Sequence, residues 1–233
     1  MEKKWEAMTE QHDTLGMLYP HLSLTSAQDQ NAASRNTGLL EGILAKAKAS
    51  EKVQQTFFAE NSHALLTMSS ALAKVFAAGD KLLCMGNGGS SCDANHLAVE
   101  FNHPVTTGRP ALPAINLSAD TAMLTAIGND VGFEQVFIRP LISLARKGDA
   151  LFGISSSGNS KNMSKAFAQA KEMGVNTFAL LGGDGGNIAR SGDVDHCLIV
   201  KSDSVHRIQE CHVLSYHILW ELVHSQLTGK PNA

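Results

Sequence analysis

From Lys81 onward, short apolar runs alternate with segments of helical period, which predicts an α/β fold: a parallel sheet covered by helices on both faces, in three layers. Composition agrees with one large domain, because 233 residues with 43% hydrophobic and 18% charged side chains can close around a single core. Twenty glycines against six prolines point to close backbone approaches rather than Pro-rich linkers.

The elements follow in order. Residues 1 to 35 are polar, with Ser, Thr, Gln and Asn clusters, and read as a weakly structured arm with a short helix near Trp5 and Met8. The remaining chain, 36 to 233, reads as one domain. Apolar positions of helical spacing run from Leu39, Leu40 and Ile43 through Phe57, Leu65, Met68 and Leu72 to Phe76, and Gly79 closes them as a helix stop. Lys81–Met85 reads as a first strand, followed by a helix from Ser90 to Asn102. Ala114–Leu117 is a second strand, with a helix from Asp120 to Ile127. Ala150–Ile154 is a third, with a helix from Ser160 to Met173. Thr177–Leu181 and Cys197–Val200 are the fourth and fifth, and an amphipathic helix from Val205 to Leu227 follows.

Several function classes are disfavoured. A formal net charge of −3 offers no electrostatic footprint for nucleic acid or an anionic membrane. Glu2, Lys3 and Lys4 are followed by no apolar stretch of a secretory signal, and no run approaches the roughly 20 apolar residues of a spanning helix. Cys84, Cys92, Cys197 and Cys211 form no C-x-x-C pair, so a reduced, cytoplasmic protein is expected.

In a parallel α/β sheet, ligands bind beyond the carboxyl ends of the strands. Two turns there stand out. Gly86-Asn-Gly-Gly-Ser-Ser91 follows the first strand and opens a helix. Its glycines let backbone approach a ligand, and the helix start offers unpaired N–H groups to an anion. It is neither a dinucleotide fingerprint, since Ser91 stands where the third glycine belongs, nor a P-loop, since no Gly-Lys-Ser/Thr follows. Ser155-Ser-Ser-Gly-Asn-Ser160 follows the third strand and opens another helix. Its hydroxyls and backbone N–H groups suit a phosphate monoester without needing a lysine.

Ten histidines are more than packing requires. His96 and Glu100, at i and i+4, share one helix face about 6 Å apart along the axis and can reach one divalent ion or one substrate. The last helix carries Gln209, His212 and His217. Gln209 and His217 are separated by about 12 Å of rise. If both bind one metal, the spacing favours contributions shared across a subunit interface. His212 is expected beside the site or at an interface, and His224 on a helix face packed against a partner.

Taken together, Gly86–Ser90 with Asp93, His96 and Glu100, then Gly128-Asn-Asp130 with Phe133, Ser155–Ser160, Gly182-Gly-Asp-Gly-Gly186 and Arg207-Ile-Gln-Glu-Cys-His212 with His217 closely resemble the sedoheptulose-7-phosphate isomerases (phosphoheptose isomerases) of the sugar-isomerase (SIS) domain class. The resemblance runs from about residue 40 to 227. It implies the three-layer SIS fold, a cytoplasmic homotetramer with active sites between subunits, and a role in heptose biosynthesis. It implies a Zn2+ ion on His96, Glu100, Gln209 and His217, and an acid/base pair of Glu100 and His217. Sugar-phosphate contacts carry over to Asn87, Gly88, Gly89, Glu100, Asn129, Asp130, Ser155, Ser156, Ser157, Ser160 and Gln209. The chain departs from the family at Ser156, usually Thr, at Pro104, often basic, and in Ser204-Val-His206.

The implied reaction moves a proton between C1 and C2 of a ketose phosphate through an enediol. Glu100 suits the base and His217 the acid. The same class admits a non-catalytic adaptor of the replication initiator DnaA and a sugar-phosphate-sensing regulator. Intact Glu100 and His217 argue against the adaptor. The lack of a helix-turn-helix pattern or basic arm before residue 40 argues against the regulator.

Overall fold

A computed structural model describes residues 32–229. Helix α1 (Ala32–Ala77) is continuous and breaks at Gly79, whose φ of 85° is accessible to glycine. It starts inside the expected arm, ahead of Leu39, the first apolar position of the expected helical spacing. The rest of the expected arm, with the helix near Trp5 and Met8, lies outside the described residues. The chain divides after Ala45 into two compact units. In the first, α1 exposes Leu39, Leu40, Ile43 and Leu44. The sheet and both apolar cores belong to the second.

Five strands carry that unit: β1 (Leu82–Gly86), β2 (Ala114–Asn116), β3 (Ala150–Ser155), β4 (Asn176–Gly182) and β5 (His196–Val200). All pairings are parallel, in the order β2-β1-β3-β4-β5. Because β1 and β3 are wholly buried, they read as continuous apolar runs rather than alternating ones. Successive residues nonetheless face opposite layers. Leu82, Cys84, Phe152, Ile154, Phe178 and Leu180 pack with α1, α2 (Gly89–Asn102) and α7 (Val205–Thr228). Leu83, Met85, Leu151, Ala179 and Leu181 face the other side. There they meet α3 (Thr121–Asp130), α4 (Ile138–Leu144), α5 (Lys161–Glu172) and α6 (Gly186–Arg190). The predicted three-layer arrangement is present.

Caps explain where the long elements start. Asp120 accepts a hydrogen bond from the Met123 N–H at 2.9 Å, and Ser204 accepts one from the Arg207 N–H at 3.5 Å. Three short elements escaped the sequence reading: α4, α6 and a 3-10 turn at Phe133–Gln135. None is long enough to show an apolar period. Pro140 reads as a breaker, yet it falls in the first turn of α4, where no intrahelical N–H bond is lost.

The order of the sheet reverses between β1 and β3, the switch point at which open α/β sheets form a crevice. The two ligand turns predicted from sequence leave the carboxyl ends of these two strands.

Candidate active site

The turn after β1 enters α2 at once. A Cβ on Gly89 would lie 2.5 Å from Gln209 Nε2, so the amide of Gln209 rests on the glycine backbone. Seven residues on, His96 Nδ1 lies 2.8 Å from the Tyr216 hydroxyl. One turn further, the indole N–H of Trp220 donates to the Glu100 carbonyl at 2.8 Å. These three contacts share one sequence offset. Helices α2 and α7 therefore run side by side in the same direction, with Gln209 at one end of the seam and Trp220 at the other.

Along this seam the structure assembles a cluster. Ligand atoms of His96, Glu100 and His217 all lie within 4.8 Å of one another. His96 Nε2 is 3.1 Å from Glu100 Oε1, and the His96 and His217 rings meet edge to face with centroids 5.1 Å apart. Glu100 and His217 are half-buried and His96 is exposed. Burial, and then His96 beside it, push the His217 imidazole below its ordinary range, with Glu100 and Glu221 opposing. It is therefore the neutral ring, able to present a lone pair, at neutral pH. Burial, with the Asp93 and Glu100 carboxylates, raises the Tyr216 phenol, which stays protonated. Asp93 Oδ2 is buried without a hydrogen-bond partner among the described residues, and burial raises its carboxyl while His96 opposes.

Two imidazoles and a carboxylate converging on one point, with the outer nitrogen of one ring held by a hydroxyl, form a donor set that fits a catalytic zinc ion. Gln209 is not at that point in its own chain. Its side chain sits on Gly89, about 10 Å of helix rise away from His96.

The turn after β3 is held from within and from outside. The Gly158 N–H donates to Ser155 Oγ at 3.1 Å, and the Asn159 N–H to Ser157 Oγ at 3.3 Å. Ser160 opens α5 as its N-cap without spending its hydroxyl on the helix. Helix α6 buttresses the turn: the Ile188 N–H donates to the Gly158 carbonyl at 2.9 Å, and the Asn187 N–H to Asn159 Oδ1 at 3.0 Å. Gly158 has φ +62°, and a Cβ there would lie 2.1 Å from the Gly185 carbonyl oxygen. The serine hydroxyls that accept the first two bonds keep their own hydrogens to donate, at a helix start on the carboxyl edge, an arrangement suited to phosphate.

The other predicted contacts fall in separate places. Asn87 and exposed Gly88 and Gly89 follow β1. Asn129 and Asp130 are exposed at the end of α3, with the Asn129 amide donating to Asp130 Oδ1 at 2.8 Å. Two histidine expectations are corrected. His212 lies at 0% exposure beneath β4, with Nε2 3.1 Å from the Leu181 carbonyl, so it belongs to the core and not to an interface. His224 is equally buried, stacked on Phe101 and against Trp220 within its own chain.

A family profile for the SIS domain matches residues 45–182. The phosphoheptose isomerase of Geotalea daltonii is 44% identical over 192 residues, covering 82% of this chain and 99% of that protein. The phosphoheptose isomerase of Trichlorobacter lovleyi is 46% identical over 175 residues, covering 75% and 88%. The solved phosphoheptose isomerase of Neisseria gonorrhoeae superposes with a TM-score of 0.75 at 37% identity, covering 80% of this chain and 99% of that one.

The chain belongs to the phosphoheptose isomerase family of SIS-domain proteins.

Membership makes it an isomerase. No helix among the described residues is long and apolar enough to cross a membrane. Two residues bonded to predicted site residues, Tyr216 to His96 and Asn162 to Asn87, escaped the sequence reading. Tyr216 was hidden because its relation to His96 depends on the pairing of α2 with α7. Asn162 was hidden because its partner is 75 residues away.

Proposed function

We propose that this protein converts sedoheptulose 7-phosphate to D-glycero-D-manno-heptose 7-phosphate for heptose biosynthesis, at a site formed by the α2–α7 seam and the two carboxyl-edge turns. The observation that carries this reading is the His96–Glu100–His217 cluster, in a chain that also carries a serine-rich turn after β3 and matches phosphoheptose isomerases over nearly their full length.

The phosphate is held by Ser155, Ser156, Ser157 and Ser160 with the backbone N–H groups that open α5. Asn87, Gly88 and Gly89 line the sugar from β1, and Asn129, Asp130 and Gln209 supply hydroxyl contacts. With the phosphate anchored, C1 and C2 meet Glu100. Its carboxylate takes the proton from C1 to give the enediol and returns it at C2. His217 hands protons between the two substrate oxygens: its neutral ring accepts from one and, once protonated, donates to the other.

Zn2+ is the ion we assign to His96, Glu100 and His217, with Gln209 as a fourth ligand; bound there, it would polarise the substrate carbonyl. The Tyr216 hydroxyl serves both states of His96. It donates to Nδ1 when Nε2 carries the proton, and accepts from Nδ1–H when Nε2 is the ligand. Because Gln209 and His217 project from one helix about 12 Å apart, a shared ion draws Gln209 from a neighbouring subunit, in a homotetramer whose active sites lie between chains.

Purified protein incubated with sedoheptulose 7-phosphate and Zn2+ is expected to form the aldoheptose phosphate. Absence of product would reject the assignment. Glu100→Gln is expected to bind the substrate and to lose turnover by at least about 10²-fold. Near-normal turnover would remove Glu100 from the role of base.

A further inference from the structure

Asn162, in the first turn of α5, is buried at 3% exposure, and neither phosphate binding nor proton transfer has needed it. It pairs with Asn87 across the switch point of the sheet. The Asn87 amide donates to Asn162 Oδ1 at 3.0 Å, and the Asn162 amide donates to Asn87 Oδ1 at 2.9 Å. The Met163 N–H also donates to Asn162 Oδ1, at 2.9 Å.

That third bond decides the orientation of the other two. The Met163 N–H donates to the Ser160 carbonyl as well, at 3.1 Å, and because a backbone N–H can only donate, the Asn162 atom 2.9 Å from it is the oxygen. With the oxygen fixed, the Asn162 amide nitrogen points at Asn87, and Asn87 can answer with only one of its two flips. One N–H and one lone pair of Asn87 remain unpaired with Asn162, each in a determined place. The orientation of a side chain on the β1 turn is thus set from the helix that carries the phosphate turn.

We infer that Asn162 is a positioning residue: it fixes the Asn87 amide and registers the sugar-binding turn after β1 against the phosphate-binding turn after β3. The inference rests on the sugar-phosphate reading above. A ketose phosphate must be gripped at both ends for C1 and C2 to meet the base, and misplacement of about 1 Å can cost about 10²-fold in rate. An amide pair between the two grips fixes their spacing more tightly than either loop alone.

The test compares Asn162→Ala, Asn87→Ala and the double variant. Asn162→Ala is expected to lower kcat/KM for the sugar phosphate by about tenfold or more. The affinity for inorganic phosphate should stay within about twofold, since the serine turn keeps its own bonds. The double variant should be no worse than Asn87→Ala, because both substitutions remove one coupled unit. Losses that multiply, or phosphate affinity that falls in step with kcat/KM, would overturn the proposal.

Asn162→Asp covers the case in which the alanine variant fails to fold, because it keeps the volume and the bond to Met163. Its ionised carboxylate sets an oxygen against Asn87 Oδ1, whereas the protonated acid can donate there. Across about pH 6 to 8 the variant has no amide to return to Asn87, so kcat/KM should fall as in Asn162→Ala, and wild-type kcat/KM in folded Asn162→Asp would overturn the proposal. Crystals of Asn162→Asp at the higher pH should show the Asn87 side chain rotated from its wild-type position. That readout needs no turnover, so an inactive wild type would reject the functional reading alone, and an unmoved Asn87 would reject this inference alone.

Discussion

His212 makes stability depend on pH in a way that can be worked from its surroundings. The ring is fully buried, its Nε2 meets the Leu181 carbonyl, and its Nδ1 has no partner among the described residues. Burial holds its pKa down at about 4, against an ordinary 6.5, and the Leu181 bond only partly offsets this. The folded state therefore keeps the ring neutral where the unfolded chain has begun to bind a proton. Above pH 6.5 both states are neutral and the contribution is complete. As pH falls from about 6.5 toward 4, unfolding takes up a proton and stability declines, at up to about 1.4 kcal/mol per pH unit. The decline attributable to His212 is about 2 kcal/mol between about pH 7 and pH 5. Urea unfolding at constant protein concentration measures it, with His212→Gln as reference because glutamine keeps a donor for Leu181. His224, also held down to about 4, adds a decline of the same sign to both proteins and drops out of the difference. Wild type and His212→Gln losing stability in parallel across this range would refute the reasoning.

Tyr216→Phe removes the hydroxyl 2.8 Å from His96 Nδ1. Zinc affinity, read by competition with a chelating dye, is expected to fall by about 10-fold, at the low end for an outer-shell partner because exposed His96 can recruit water. Gly158→Ala places a methyl group 2.1 Å from the Gly185 carbonyl at φ +62°, so the serine turn must shift. Calorimetry should show affinity for inorganic phosphate reduced by about tenfold or more, while His96, Glu100 and His217 still bind zinc. Mixing inactive Gln209→Ala subunits with inactive His217→Ala subunits and allowing exchange should restore part of the activity, since some sites then receive intact residues from both chains. No recovery would show that each chain builds its site alone.

The central strands β1, β3 and β4 were legible because burial on both faces writes itself as a continuous apolar run, as in Leu82-Leu-Cys-Met85, and the half-buried edge strands β2 and β5 as shorter ones. The cluster was legible in part. The i, i+4 step that puts His96 beside Glu100 is local geometry, and the bond between them is 3.1 Å. The length of α7 between Gln209 and His217 was likewise a local fact, and the structure sets Gln209 on Gly89 and His217 with His96 and Glu100. What could not be read was the parallel seam of α2 and α7, which is a matter of packing. His212 and His224 were misjudged for the same reason. A polar ring on an amphipathic helix looks like surface until its neighbours are known, and here those neighbours are Leu181, Phe101 and Trp220.

The same distinction explains why Asn162 carried no signal. Beside Lys161 and Ser164 it reads as an ordinary polar residue of a helix start, where asparagine is unremarkable. Its burial follows from the sheet order: placing β1 next to β3 brings the start of the first Gly-rich turn against the first turn of α5. A buried amide there would be costly if left unpaired, and a neighbouring amide in the opposite sense satisfies one donor and one acceptor on each. Asn87, half-buried at the edge of the crevice, is the residue that supplies it. The topology that creates the crevice thereby also creates the need for a bond across its base, and that bond fixes the two turns at one spacing.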